Sequence, residues 1–119
     1  QRAWIAMTIA QEPEILILDE PTTYLDVSYQ VEVLELVRRL NRELGITIVM
    51  VLHDINLAAR YSDALAAIRD GILFAAGTPA EMVTEQNLRD IFEIEAAVYK
   101  DPIHGCPYFI PQRSTFGVK

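Results

Sequence analysis

The feature that most constrains this chain is a run of four aliphatic residues that ends in two adjacent carboxylates, Asp19 and Glu20. An apolar run of this length, at positions 15–18, is typical of a parallel strand that is buried on both faces. In open α/β sheets, ligands bind in the crevice beyond the carboxyl ends of the strands. Two acids at that point therefore predict a polar site, with one carboxylate suited to a metal shell and one to activating a water molecule.

A second apolar and β-branched run, at residues 46–52, predicts another strand, which is followed directly by His53. Between the two runs, residues 27–44 carry apolar side chains every three or four positions and predict an amphipathic helix. Strand, helix and strand then form one βαβ unit with a right-handed crossover. Because parallel strands end at the same edge of a sheet, we expect Asp19, Glu20 and His53 to share one crevice.

Local signals outline the rest of the chain. Asp26 is predicted to cap the long helix and Gly45 to end it in a left-handed conformation. The simplest interpretation is one α/β domain. The further predicted elements are an apolar helix over residues 1–11, a helix capped by Asp54, a hairpin turn at Asp70 and Gly71, helices capped by Thr78 and Thr84, and a terminal hairpin within residues 94–110.

Composition narrows the function classes. Ten basic and 17 acidic side chains give a net charge of −7, which argues against broad binding to nucleic acids or anionic membranes.

Cys106 is the only cysteine, so the chain forms no internal disulfide and a reducing compartment is allowed. His104 lies two positions from Cys106, but a metal site needs more ligands, and we interpret both as loop residues. The longest apolar stretch is too short to span a bilayer, no signal peptide is visible, and residues are expected upstream of Gln1.

An Asp, a Glu and a His in one crevice are suited to metal-assisted hydrolysis. Mg²⁺ takes only one or two carboxylates beside phosphate oxygens and water, and Asp19 fits that shell directly or through water. Glu20 is predicted to accept a hydrogen bond from the attacking water and to take its proton, and His53 to donate to a terminal phosphate oxygen. The alternatives are helix capping or a surface ion pair for the acids and a solvated cap position for His53. Capping fits poorly because Pro21 follows Glu20 at once.

Together these motifs resemble the C-terminal half of the nucleotide-binding domain of ATP-binding cassette (ABC) ATPases. Residues 15–20 resemble the Walker B strand with its catalytic glutamate, residues 21–26 the D-loop, and His53 the switch histidine. Residues 1–3 resemble the positions after the signature motif, so the resemblance covers most of residues 1–77. Within the family, the D-loop and residues 49–61 look like importers of iron–siderophore, haem and vitamin B12.

The resemblance implies an α/β fold that is the C-terminal part of a RecA-like P-loop NTPase domain, with parallel strands, flanking helices and a C-terminal β-hairpin region. It implies ATP and Mg²⁺ as cofactors, with Asp19 and His53 binding them and Glu20 and His53 catalytic. It also implies a head-to-tail homodimer, a transmembrane permease as partner, and a peripheral position at the cytoplasmic face of the inner or plasma membrane. The D-loop residues expected to contact the second subunit are Thr23, Tyr24, Leu25 and Asp26.

The chain also departs from the family pattern. Its 119 residues contain no G-x-x-x-x-G-K-[ST] phosphate loop (Walker A), no glutamine loop and no signature motif. We therefore interpret residues 1–119 as a partial nucleotide-binding domain that is inactive alone and self-associates through exposed sheet edges and apolar faces. The alternatives are a soluble ABC ATPase of DNA repair or translation, and a non-catalytic module in which residues 94–119 dock or regulate.

Overall fold

The computed structural model describes residues 14–116, so the helix predicted over residues 1–11 lies outside the described part of the chain. The chain divides into two compact units, residues 1–53 and residues 54–119. The assignment of all 119 residues to one partial nucleotide-binding domain stays a prediction.

The first unit contains the predicted strand, helix and strand. Strand β1 spans Ile15–Asp19, helix α1 spans Val27–Leu44, and strand β2 spans Thr47–Val51. The two strands pair in parallel, with Ile15 opposite Thr47 and Asp19 opposite Val51. This pairing confirms the order and direction of the elements expected from the sequence.

Helix α1 begins and ends at the residues that the sequence indicates. The Asp26 side chain accepts a hydrogen bond from the Tyr29 amide, which satisfies one of the free N–H groups of the first turn. At the other end Gly45 has a φ of 67° and donates its N–H to the Asn41 carbonyl. The Asn41 side chain in turn donates to the Ile46 carbonyl at 2.8 Å and joins the helix end to the start of β2.

The core of the first unit lies between α1 and one face of the β1–β2 pair. Leu18 of β1 is completely buried in this layer. The buried cluster consists of Leu16, Leu18, Val33, Val37 and Ile46, with Leu25, Leu36, Leu40, Ile48 and Met50 packed around it. This layer fixes the register of both strands, since a slip of one residue would turn their buried side chains outward.

The expectation that both strands are buried on both faces is wrong for the described residues. Side chains alternate along a strand, and those that point away from α1 are exposed. Their exposed fractions are 59% for Ile15, 68% for Ile17, 50% for Val49 and 46% for Val51. We call these four side chains the open face of the first unit.

The described residues of the second unit form two hairpins and three helices. Its elements are α2 (Ile55–Tyr61), β3 (Leu65–Arg69), β4 (Ile72–Gly77), α3 (Pro79–Met82), α4 (Glu85–Phe92), β5 (Ile94–Lys100) and β6 (Pro107–Ser114). Strands β3 and β4 form one antiparallel pair, and β5 and β6 form another. Both predicted hairpins are confirmed, but β6 runs to Ser114, four residues beyond the predicted end of the hairpin.

The turns and caps of the second unit follow the local sequence. Asp70 and Gly71 have φ values of 53° and 76°, the left-handed pair that a two-residue hairpin turn of this kind requires. Thr78 and Glu81 form a reciprocal capping box at the start of α3. The Asn56 side chain exchanges two hydrogen bonds with the backbone of Phe109, at 2.9 and 3.2 Å, and so fastens α2 to β6.

The open face leads to a first prediction, about association. We expect the 119-residue chain to self-associate, because adjacent exposed aliphatic side chains rarely stay bare in water. Ile17→Lys places a charge in the middle of the open face and should lower the average mass in light scattering at micromolar concentration. Ile103→Lys makes the same change at an isoleucine that is 81% exposed in the other unit, and it should leave the mass unaltered. A clean monomer of the unsubstituted chain would contradict this expectation.

Candidate active site

The candidate active site lies at the carboxyl ends of β1 and β2. Asp19 is the last residue of β1, and the Glu20 amide donates to the Val51 carbonyl at 2.9 Å, one step beyond the paired strands. His53 follows β2 after a single intervening residue. Its Nε2 atom lies 2.5 Å from Glu20 Oε1. The prediction that the acid pair and the imidazole share one edge of the sheet is thereby confirmed.

A tight turn after β1 orients Glu20. Glu20 has a φ of 52°, in the left-handed region that non-glycine residues seldom adopt. The Thr23 amide donates to the Glu20 carbonyl at 3.2 Å and closes a four-residue turn. Pro21 occupies the second position of this turn, where its fixed φ is favourable. The strand therefore ends at Asp19, and the Glu20 side chain no longer follows the alternation of the strand.

Both oxygens of the Glu20 carboxylate have partners. Oε1 is bonded to His53 Nε2, and Oε2 accepts a hydrogen bond from Thr23 Oγ1 at 3.1 Å. The His53 hydrogen bond, and next the Thr23 hydroxyl, lower the pKa of Glu20 below its ordinary value, although partial burial opposes them. Glu20 is therefore ionised at neutral pH. The pair is open to water, since the exposed fractions of the Glu20 and His53 side chains are 38% and 75%.

The loop after Glu20 is held by contacts to the core and to α1, and its tip is exposed. Thr22 is buried, and Leu25 packs against the core of the first unit. Gln30 on α1 donates its side-chain amide to the Leu25 carbonyl at 3.1 Å and to the Thr22 carbonyl at 3.5 Å. Tyr24, at the tip, has a φ of 66° and a fully exposed side chain. The loop thus presents Tyr24 outward while Thr22 and Leu25 are held in place.

The predicted site residues do not all meet. The structure joins Glu20 to His53 and to Thr23, whereas Asp19 is exposed at the end of β1. The hydrogen bond from Thr23 was not predicted, because the resemblance of residues 21–26 to the D-loop implies only a partner contact for Thr23. A hydroxyl three residues after the glutamate, across a proline turn, is the sequence signal that could have indicated it.

Asp19 offers the type of oxygen that Mg²⁺ prefers. Its carboxylate fits a shell in which one protein carboxylate shares the ion with phosphate oxygens and water. Within residues 14–116, no group of three His, Cys, Asp or Glu side chains is arranged to hold a metal by itself. In the turn between β5 and β6, Asp101 Oδ2 lies 3.0 Å from His104 Nδ1 and 3.9 Å from Cys106 Sγ.

No family model matches the chain. It is 54% identical to the petrobactin import ATP-binding protein FpuD of Bacillus anthracis over 111 residues, which are 93% of this chain and 41% of that protein. It is 50% identical to the achromobactin transport ATP-binding protein CbrD of Dickeya dadantii, with the same two shares covered. The chain thus spans about two fifths of the length of these curated relatives.

The fold has a counterpart among solved structures. An inward-facing structure of a transporter described as a metal-chelate type ABC transporter superposes with a TM-score of 0.80 at 25% identity. The match covers 92% of this chain and 44% of the other. The structural likeness therefore extends over both units, although it takes in less than half of the neighbour's chain.

The contacts of Glu20 lead to a second prediction, about its titration. The pKa of Glu20 should lie below the ordinary value of 4.5 and should rise in His53→Ala, and less in Thr23→Val, as followed by carboxyl carbon NMR. A pKa lowered by folding adds stability at pH values above the unfolded pKa, and this stability is lost as the pH falls through the folded pKa. The His53→Ala variant should therefore lose less stability on acidification than the unsubstituted chain.

Glu81 serves as the internal control for this titration. Its pKa is also lowered, but by the Thr78 amide and hydroxyl of the capping box, so it should not move in either variant. A Glu20 pKa that is the same with and without the imidazole would show that the contact does not persist in solution.

Proposed function

Because this chain belongs to the family of ABC transporter ATP-binding proteins, we propose that it is part of an ATPase subunit that powers the import of an iron chelate. The main support for the proposed chemistry is the contact between Glu20 and His53 at the ends of two parallel strands. Two of the relatives are named for petrobactin import and achromobactin transport, which supports an iron chelate as the class of cargo.

Glu20 acts on the attacking water in this proposal. Its carboxylate is ionised, partly open to solvent and held at both oxygens, which suits a group that accepts a hydrogen bond and takes a proton. Oε1 is engaged by His53, so a water molecule at this atom must share it or replace the imidazole. Replacement becomes possible when a competing anion draws the imidazole away.

His53 is placed to make that exchange. Its side chain is largely exposed, and the residue lies two positions after the end of β2, at the rim of the sheet. An imidazole N–H can donate to a terminal phosphate oxygen on which charge develops, and such donors stabilise the transition state. The movement of His53 from Glu20 to phosphate would leave Oε1 free for water, so nucleotide binding itself would prepare the base.

Asp19 would hold Mg²⁺, directly or through a water molecule, and ATP would be the nucleotide. When bound, Mg²⁺ neutralises charge on the phosphate oxygens and orients them. The position of Asp19 supports this assignment, since Asp19 is the last residue of β1 and its side chain is exposed at the rim of the sheet. Asp19 and Glu20 thus take different roles although they are neighbours in sequence.

Thr23, Tyr24, Leu25 and Asp26 would lie at the contact with a second ATPase subunit in a head-to-tail homodimer. The exposed tip at Tyr24 supports an outward contact, and the buried Thr22 anchors the loop that carries it. The dimer would drive a transmembrane permease and would sit at the cytoplasmic face of the membrane, held by that permease. No helix within residues 14–116 is long and apolar enough to cross a bilayer.

The 119-residue chain by itself would not hydrolyse ATP. Phosphate binding in this class of enzyme depends on the backbone amides and lysine of a glycine-rich loop, and this sequence contains no such motif. The relatives' names favour transport over a soluble ATPase of DNA repair or translation and over a non-catalytic module.

A third prediction tests the role of Glu20 in the full-length protein. Glu20→Gln keeps the size and hydrogen-bonding shape of the side chain but removes the base, so turnover should fall by about a hundredfold or more while ATP binding is kept. Steady-state hydrolysis and nucleotide titration measure the two quantities. Glu43→Gln, the same change at an exposed position of α1, should hydrolyse ATP like the unsubstituted protein. Equal turnover with and without the Glu20 carboxylate would remove it from the mechanism.

A further inference from the structure

Thr23 holds Glu20 through both its backbone and its side chain. Its amide donates to the Glu20 carbonyl at 3.2 Å, and its hydroxyl donates to Glu20 Oε2 at 3.1 Å. The first bond closes the turn, and the second ties the carboxylate to that turn. The position of Oε2 is therefore set by the same four-residue turn that ends β1.

The backbone of this turn is held in place by the contacts of Thr22 and Leu25. Thr22, just before Thr23, is buried, and its carbonyl accepts hydrogen bonds from the Leu25 amide at 3.3 Å and from Gln30. Leu25 packs into the core of the first unit. The Thr23 hydroxyl thus projects from a loop that is anchored on both sides.

The carboxylate needs such a hold because its other partner is mobile in the proposed reaction. Among the described residues, the Glu20 side chain is bonded to His53 and to Thr23. In the proposed function the imidazole leaves Oε1 for a phosphate oxygen. A glutamate with one exposed end can then turn through several rotamers, and a catalytic group must stay within a fraction of an ångström of its working position.

We propose that Thr23 is a positioning residue for hydrolysis: its hydroxyl holds Glu20 Oε2 so that Oε1 faces the attacking water. This proposal rests on the proposed function, since it assigns Thr23 a part in the same site. Thr23 also lies in the loop that would contact the second subunit.

The test compares two substitutions in the full-length protein. Thr23→Val keeps the branched shape and removes the donor, whereas Thr23→Ser keeps the donor. Loss of one hydrogen bond that aims the base should lower kcat about tenfold in Thr23→Val with KM and ATP binding unaltered. Thr23→Ser should recover most of that loss. Thr47→Val, the same change on β2 away from Glu20, should match the unsubstituted protein.

Thr23→Ala is the second variant that lacks the hydroxyl, and it should lose turnover as Thr23→Val does. Retained ATP binding and an unaltered melting temperature show that each variant is folded. In a Glu20→Gln background, Thr23→Val should cause no further loss, because the hydroxyl acts only through the carboxylate.

The other outcomes distinguish failure of the positioning role of Thr23 from failure of the proposed function. Equal kcat in Thr23→Val and the unsubstituted protein, with turnover lost in Glu20→Gln, overturns the positioning role and leaves the proposed function standing. Equal losses in Thr23→Val and Thr23→Ser also overturn it, because the loop rather than the hydroxyl would then matter. Full turnover in Glu20→Gln itself would instead overturn the proposed function.

Discussion

The hydrogen bond from the Glu20 amide to the Val51 carbonyl is the constraint on which the site depends. It continues the parallel pairing of β1 and β2 by one residue and so brings the two strand ends to the same level. Because the core side chains fix the register of the two strands, the alignment of their ends is fixed as well. His53, two residues after the end of β2, then lies beside the Glu20 carboxylate.

Much of this arrangement could be predicted from the sequence, since local chemistry and topology agree. Asp26 and Gly45 mark the ends of α1, and Asp70 and Gly71 form the expected turn, because each residue type suits the backbone that its position requires. The shared edge of Glu20 and His53 follows from parallel strands alone. A rule about strand direction was therefore enough to bring together two residues that are distant in the chain.

Other features depend on contacts that a pattern of residue types does not specify. Apolar strands indicate burial on both faces, yet the side chains of Ile15 and Ile17 are exposed, since α1 covers one face of the described strands. The left-handed φ of Glu20 depends on the turn that residues 20–23 form, and residue types alone do not specify that conformation. Strand β6 continues beyond Ile110 to Ser114 because it pairs with β5, although residues 111–114 give no clear strand signal of their own.

The placement of the hydrolytic groups at this rim is tested most directly by a crystal structure of the full-length protein with Mg²⁺ and a non-hydrolysable ATP analogue. The account predicts the terminal phosphate at the carboxyl ends of β1 and β2, with Asp19 in the metal shell. It also predicts His53 Nε2 on a phosphate oxygen and Glu20 Oε1 within about 3.2 Å of a water molecule in line with the terminal phosphate. A terminal phosphate bound away from these strand ends would contradict it.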